Sequence, residues 1–174
     1  MALTQRALWL IPIGVIAAVI WPTTRTVWVW ALLSALLVIA DALLAPRPSD
    51  LHLYRHPIPA KRLHEPNESV LTVTNTGRRR VRGLLRDAWQ PSAGATGDRH
   101  AVELGPGERA RYRTLLAPTR RGDRAADVVT IRLVGPLGLA ARQKSFLVPG
   151  TARALHPFAS RKHLPSKLAQ LREI

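Results

Sequence analysis

The sequence predicts a membrane-anchored, all-β protein: a two-helix transmembrane hairpin, an antiparallel immunoglobulin/fibronectin-like β-sandwich, and a short C-terminal helix. Three observations carry this. Residues 7–44 hold two apolar runs, ALWLIPIGVIAAVIW and VWVWALLSALLVIADALL, separated by PTTRT. After Pro46 the pattern changes to short alternating segments punctuated by Pro, Gly and Asn. No helical period interrupts those segments, so the crossover helices of a parallel sheet are missing.

The second run, Val27 to Leu44, has one charge, Asp41, near its end. At ~1.5 Å per residue it reaches ~27 Å, close to the ~30 Å hydrocarbon core. The first run, Ala7 to Trp21, is shorter; starting the helix at Leu3, with Arg6 snorkelling to the headgroups, brings it to a comparable length. Pro12 removes a backbone donor and is expected to bend this helix. Trp9, Trp21, Trp28 and Trp30 lie toward the run ends, where an interfacial belt is expected. Neither run has a polar face, which argues against a pair of soluble-core helices. Trp21-Pro22-Thr23-Thr24 lacks the small-x-small pattern of a signal-peptide cleavage site. The hairpin therefore occupies residues 1–45, with spans at about 3–21 and 27–44.

Arg25 is the only basic residue between the runs, whereas Arg47, Arg55, Lys61 and Arg62 follow them. By the positive-inside rule both termini and the β-domain are cytoplasmic at the inner membrane, and the Pro22–Thr26 loop is outside.

Residues 46–50 read as a proline-stiffened linker and 51–157 as the sandwich. Its expected strands are Leu51–Arg55, Ser69–Thr74, Arg80–Ala88, Ala101–Leu104, Arg109–Pro118, Asp127–Val134, Leu139–Val148 and a last one at Ala152–His156, each bounded by turn residues. Val81, Gly83 and Leu85 are expected on one face of their strand, with arginines mostly on the other. Residues 158–174 are amphipathic: Leu164, Leu168 and Leu171 follow helical spacing and form a candidate partner-binding face.

The 174 residues carry a formal net charge of +15 and no cysteine. Disulfides and thiolate metal sites are therefore excluded. Nearly all the charge lies after residue 49, and anionic inner-leaflet lipid is the expected counterpart at about 1 kcal/mol per basic residue near the surface. A membrane-tethered, basic nucleic-acid binder is the alternative, disfavoured because few aromatics follow Pro46 to stack on bases.

The ordered series Asn75-Thr76-Gly77; Arg86, Asp87, Trp89 and Pro91; Pro106-Gly107; Pro118 to Asp123, containing Arg120, Arg121 and Gly122; and Gly135-Pro136-Leu137-Gly138-Leu139, closing with H-P-F, L-P-S-K-L and L-R-E, resembles the N-terminal half of the bacterial domain-of-unknown-function 58 family. The resemblance implies a membrane hairpin and a sandwich, followed by a von Willebrand factor A-like domain. It also implies work alongside a MoxR-type AAA ATPase. The family's glycine, E-F, G-D and D-W signature is not in this sequence; on the resemblance it would begin just after Ile174, so the chain is expected to be a fragment, a truncated reading frame or one half of a split protein, whose partner is that missing domain or the ATPase.

Catalytic and cofactor chemistry finds no motif. His52 and His56 are four apart but strand-like neighbours and Pro57 take them off a shared helical face. No serine lies in G-x-S-x-G, and Gly105-Pro106-Gly107 is a turn rather than a phosphate loop. Arg121-Gly122-Asp123 reads as a turn in which Gly122 supplies the backbone conformation, with Arg120 or Arg121 expected to pair with Asp87 or Asp123. Trp89 is expected to be a core anchor between the sheets. The reading is of a non-enzymatic anchor and protein-interaction module.

Overall fold

In a computed structural model, which describes residues 2–156, two apolar helices stand on one end of a β-sandwich. The chain begins with β1 (Ala2–Leu3), a 3-10 turn (Gln5–Trp9), α1 (Leu10–Ile20) and α2 (Thr24–Leu44). A second 3-10 turn (Pro48–Asp50) leads into β2 (Leu51–Arg55), β3 (Lys61–Arg62), β4 (Asn67–Asn75) and β5 (Val81–Ala88). Then follow β6 (Ala95–Thr96), β7 (Arg99–Leu104), β8 (Arg109–Leu116), β9 (Gly122–Val134) and β10 (Ala140–Leu155).

One sheet runs β1-β10-β9-β5-β7, with β3 added to β10; the other runs β2-β4-β8-β6. Every pairing is antiparallel except the short β3–β10 ladder. The core lies between the sheets. Leu71 and Val73 of β4 face Val81 and Leu85 of β5, Val102 and Leu104 of β7, and Val129, Ile131 and Leu133 of β9. Val81 and Leu85 point inward while Arg82 and Arg86 are exposed, as the alternation requires. The last two expected strands are one, β10, with a register shift between Leu147 and Gly150. β9 starts earlier than expected, at Gly122, because its first residues pair with the far end of β10.

The helical part differs from expectation in three ways. Leu3 is not helical: β1 pairs it with Ala140. Among the described residues only one helix, which begins at Thr24, is long and apolar enough to cross a membrane, and Gln5–Ile20 falls short by residue count. Pro12 does not lie mid-helix. The change from 3-10 to α geometry at Leu10 puts it in the first turn of α1.

The two helices pack antiparallel through small residues. Gly14 gives the Trp30 indole room to lie against α1, and Trp30 Nε1 donates to the Leu10 carbonyl at 3.0 Å. Trp30 therefore belongs to the helix interface rather than to an aromatic belt; Trp9, Trp21 and Trp28 are exposed. Thr23 caps α2 by accepting from the Thr26 amide.

Candidate functional site at the helix–sandwich junction

A lone acid near the C-terminus of an apolar helix is doubly unfavourable, since it sits in a nonpolar run and at the negative end of the helix dipole. Asp41 is nevertheless fully buried. The turn between β9 and β10 folds over it. Its Oδ1 accepts from the Leu137 amide at 2.7 Å; its Oδ2 accepts from Leu139 at 2.7 Å and Ala140 at 2.8 Å. A Cβ at Gly135 would overlap the carboxylate, and Gly138 turns at φ 70° to aim the amides. The motif residues Gly135, Pro136, Gly138 and Leu139 are thus the receptor for Asp41.

The same turn holds the start of the chain. The Thr4 amide and hydroxyl donate to the Leu139 carbonyl at 3.0 and 3.1 Å, and the hydroxyl also reaches the Gly138 carbonyl. Arg132 donates to the Leu3 carbonyl. On the second helix, Arg142 donates to the Ala42 carbonyl and Arg79 to the Leu44 carbonyl, each at 2.9 Å. These guanidinium groups satisfy last-turn carbonyls of α2 and complement its dipole. The Asp50 carbonyl accepts from Thr76, which ties the linker to the β4–β5 turn.

Beside these contacts lies a cavity of about 540 Å³ whose walls include Leu43, Arg47, Asp50, Arg78, Arg79 and Arg142. A second, of about 470 Å³, is bordered by Leu44, Arg79, Arg80, Arg82 and Pro136.

The other motif residues are structural, and each has a chemical reason. Asn75 is fully buried; its side-chain amide donates to the carbonyls of Arg79, Leu104 and Gly105, and its Oδ1 accepts from Gly77. It stitches the β4–β5 turn to the β7–β8 turn. Asp87 lies in the inward register of β5 and meets Arg55 of β2 in a bidentate pair at 2.9 and 2.7 Å. Arg55 also donates to Ser69 and to the Val148 carbonyl, and Trp89 donates to Asp87 with the guanidinium over its ring. Trp89 is thus half-buried against this pair and the small cluster of Ala93, Leu116 and Ala152. Pro91 opens the short 3-10 turn after it.

Arg120 and Arg121 pair with neither Asp87 nor Asp123, contrary to the sequence reading. Asp87 is taken by Arg55, and Asp123 makes a bidentate pair with Arg153 at 2.7 and 2.9 Å. Gly122 does adopt a turn conformation, at φ 104°. The Arg153 hydrogen bond holds the Asp123 carboxyl below the usual carboxylate range. That contribution is present above the unfolded-state pKa and is lost as pH falls through the folded value. Burial pushes the Tyr112 hydroxyl up from its ordinary value. Among the described residues no three His, Asp or Glu side chains converge as metal ligands; His56 bonds Thr72 and His100 approaches Thr114. Leu164, Leu168 and Leu171 lie outside the described residues.

Sequence reasoning missed Arg55 as a site residue and left the role of Asp41 unassigned. Arg55 shares the inward register of Leu51, and Asp87 that of Val81 and Leu85; two opposite charges in inward positions were the available signal.

No protein-family model matches the chain, and no curated protein matches it. Solved structures similar to it include the PapD-like domain 7 of human CEP192 (14% identity, 65% of this chain and 92% of that one, TM-score 0.45). Others are a protein of unknown function from Porphyromonas gingivalis W83 (17%, 63% and 49%, 0.46) and the CARDB domain of the PF1109 protein from Pyrococcus furiosus (17%, 62% and 92%, 0.42). Likeness at this level transfers neither an activity nor a ligand.

Two substitutions test these assignments. Asp41→Ala leaves three amides without their acceptor at a cost of about 3 kcal/mol. Hydrogen exchange at Leu137, Leu139 and Ala140 is expected to speed up by roughly a hundredfold while β9 amides stay protected; unchanged exchange refutes the clamp. Arg55→Met strands the Asp87 carboxylate and is expected to cost about 3–5 kcal/mol in denaturant unfolding, with Arg55→Met/Asp87→Leu clearly milder.

Proposed function

We propose that the chain is a non-enzymatic membrane anchor that presents a rigidly held β-sandwich on the cytoplasmic side of the inner membrane. The observation that carries this reading is a contrast along α2. Val27, Trp28, Leu32, Leu36, Ile39 and Leu43, spread around the helix, are all more than half exposed, whereas Asp41 is sealed beneath the sandwich. Each large apolar side chain left in water forgoes roughly 1.5–3 kcal/mol. Lipid removes that cost and leaves the Asp41 clamp at the headgroup level.

α1 also crosses, in this reading, although it is short by residue count. The 5 residues of its 3-10 lead-in rise ~2.0 Å each and its 11 α-helical residues ~1.5 Å each, which together reach about 26 Å. From Thr24 to Asp41, α2 covers about 27 Å. Both arms start from the 137–140 turn, through Thr4 and Asp41, so their lengths must match. Arg6, Arg47, Arg78, Arg79, Arg132 and Arg142 cluster at that end, against Arg25 at the other, which supports a cytoplasmic sandwich. The partners implied by the family resemblance, a von Willebrand factor A-like domain or a MoxR-type AAA ATPase, would be met by the sandwich.

Alkaline carbonate extraction of washed vesicles is expected to leave the chain in the membrane; release into the supernatant ends this reading. In this cysteine-free background, a single cysteine at Thr24 is expected to react with impermeant maleimide from outside and one at Ser49 only after lysis. The reverse pattern inverts the topology.

A second reading, membrane-tethered binding of single-stranded nucleic acid, draws on one face. Along β8, Arg109, Arg111 and Arg113 are exposed at about 6.7 Å intervals. Tyr54, 52% exposed, shares a row with Arg111 through Thr72. Arg82 and Arg86 on the opposite sheet are paired with Glu103 and Asp98. Among the described residues Arg109 and Arg111 have no such acid. Binding that falls steeply with salt and is weakened by Arg109→Gln/Arg111→Gln supports this reading; no binding at low salt removes it.

A further inference from the structure

We infer that the cavity at the end of α2 is the seat of one anionic phospholipid headgroup. The inference rests on the reading that α2 lies in a bilayer. Arg47, Arg78, Arg79 and Arg142 line the cavity against a single acid, Asp50. The lining charge is therefore +3. The C-terminal dipole of α2 opposes it with roughly half a unit, so the site stays strongly positive.

Two of these arginines are partly engaged, since Arg79 and Arg142 each give one nitrogen to a helix carbonyl. The Arg142 Nε–H is buried and, among the described residues, has no hydrogen-bond partner. A buried charged donor without an acceptor is costly, and a phosphate oxygen relieves it. Among the described residues, Arg47 and Arg78 make no ion pair and give no side-chain hydrogen bond. Guanidinium forks suit the two free oxygens of a phosphodiester, which accept several N–H groups at once.

The cavity is also the place where a phosphate would arrive with a tail. Leu43, 68% exposed, forms part of its wall, and Leu44 borders the neighbouring cavity. Above them the apolar surface of α2 continues through Ile39 and Leu36. A soluble phosphate has no use for that surface, whereas an acyl chain lies along it. The seat therefore takes a phospholipid carrying net negative charge, its phosphate between Arg47, Arg78 and Arg142.

The test is native mass spectrometry of the full chain released from nanodiscs of mixed phosphatidylglycerol and phosphatidylcholine. Co-elution with the nanodisc comes first, and its failure strikes the membrane reading rather than the seat. The wild type is expected to retain one phosphatidylglycerol in preference to phosphatidylcholine. Arg47→Gln/Arg78→Gln, which leaves the helix-capping arginines in place, is expected to cut that retention roughly tenfold or more. Arg120→Gln/Arg121→Gln, with the same charge loss at the opposite end of β9, is expected to change nothing. Equal losses in the two double variants would reduce the seat to general surface charge and overturn it. Full displacement of the retained lipid by millimolar glycerophosphate or inorganic phosphate would make it a soluble-phosphate site, and also overturns it.

Discussion

The carboxylate of Asp41 accepts three backbone amides from a single turn, and the orientation of the helices on the sandwich depends on that contact. Neither partner is comfortable alone. The acid sits at the wrong end of a helix dipole inside an apolar run, and the turn presents three amides that point the same way with no strand to receive them. Joined, each removes the other's liability. Two carboxylate oxygens shared among three donors also define a direction, so α2 is fixed in rotation as well as position. The small residue at Gly135 is the steric condition for this approach, since any side chain there would occupy the space of the acid.

The rest of the helical architecture follows from closure. The chain leaves the 137–140 turn at Thr4, travels out through the 3-10 lead-in and α1, reverses at Trp21–Thr23, and returns to the same turn at Asp41. A closed path needs arms of equal reach. The stretched 3-10 segment supplies what the first arm lacks in residues, and the change to α geometry falls just before Pro12. The shortness of the first run thus has its resolution in this lead-in.

Where the sequence was legible, a periodicity or a punctuation mark carried the information. The alternation from Ser69 to Thr74, the middle of β4, could be read by pattern alone, as could the turn at Gly122. The division of Val81 and Leu85 from Arg82 and Arg86 was equally plain. Pairing was not legible, because it depends on strands far apart in the chain. Asp87 was visible as a motif residue, but its partner Arg55 lies on the other sheet, and the nearby basic residues Arg120 and Arg121 were the natural and incorrect candidates. Likewise the two last strands merged into β10 because β9 offers a continuous partner beyond the bulge, which no local signal announces. Asp41 was noticed only as a single charge; that it is the pivot required knowing which turn lies over it.

The distribution of arginines adds a last step. A net charge of +15 invites the view that the sandwich is a uniformly basic body. It is not uniform. On the outer face of the β5-containing sheet the guanidinium groups meet Glu103 and Asp98 across strands, and Arg55 is committed to Asp87 in the core. At the junction, Arg79, Arg132 and Arg142 serve main-chain carbonyls of the first forty-four residues. Carbonyls satisfy the donors of an arginine without cancelling its charge. The arginines that hold the helices therefore leave the junction positively charged, and the same side chains that secure the helices make that end attractive to anions. Stability of the joint and affinity for an acidic surface are, at this place, one arrangement of side chains.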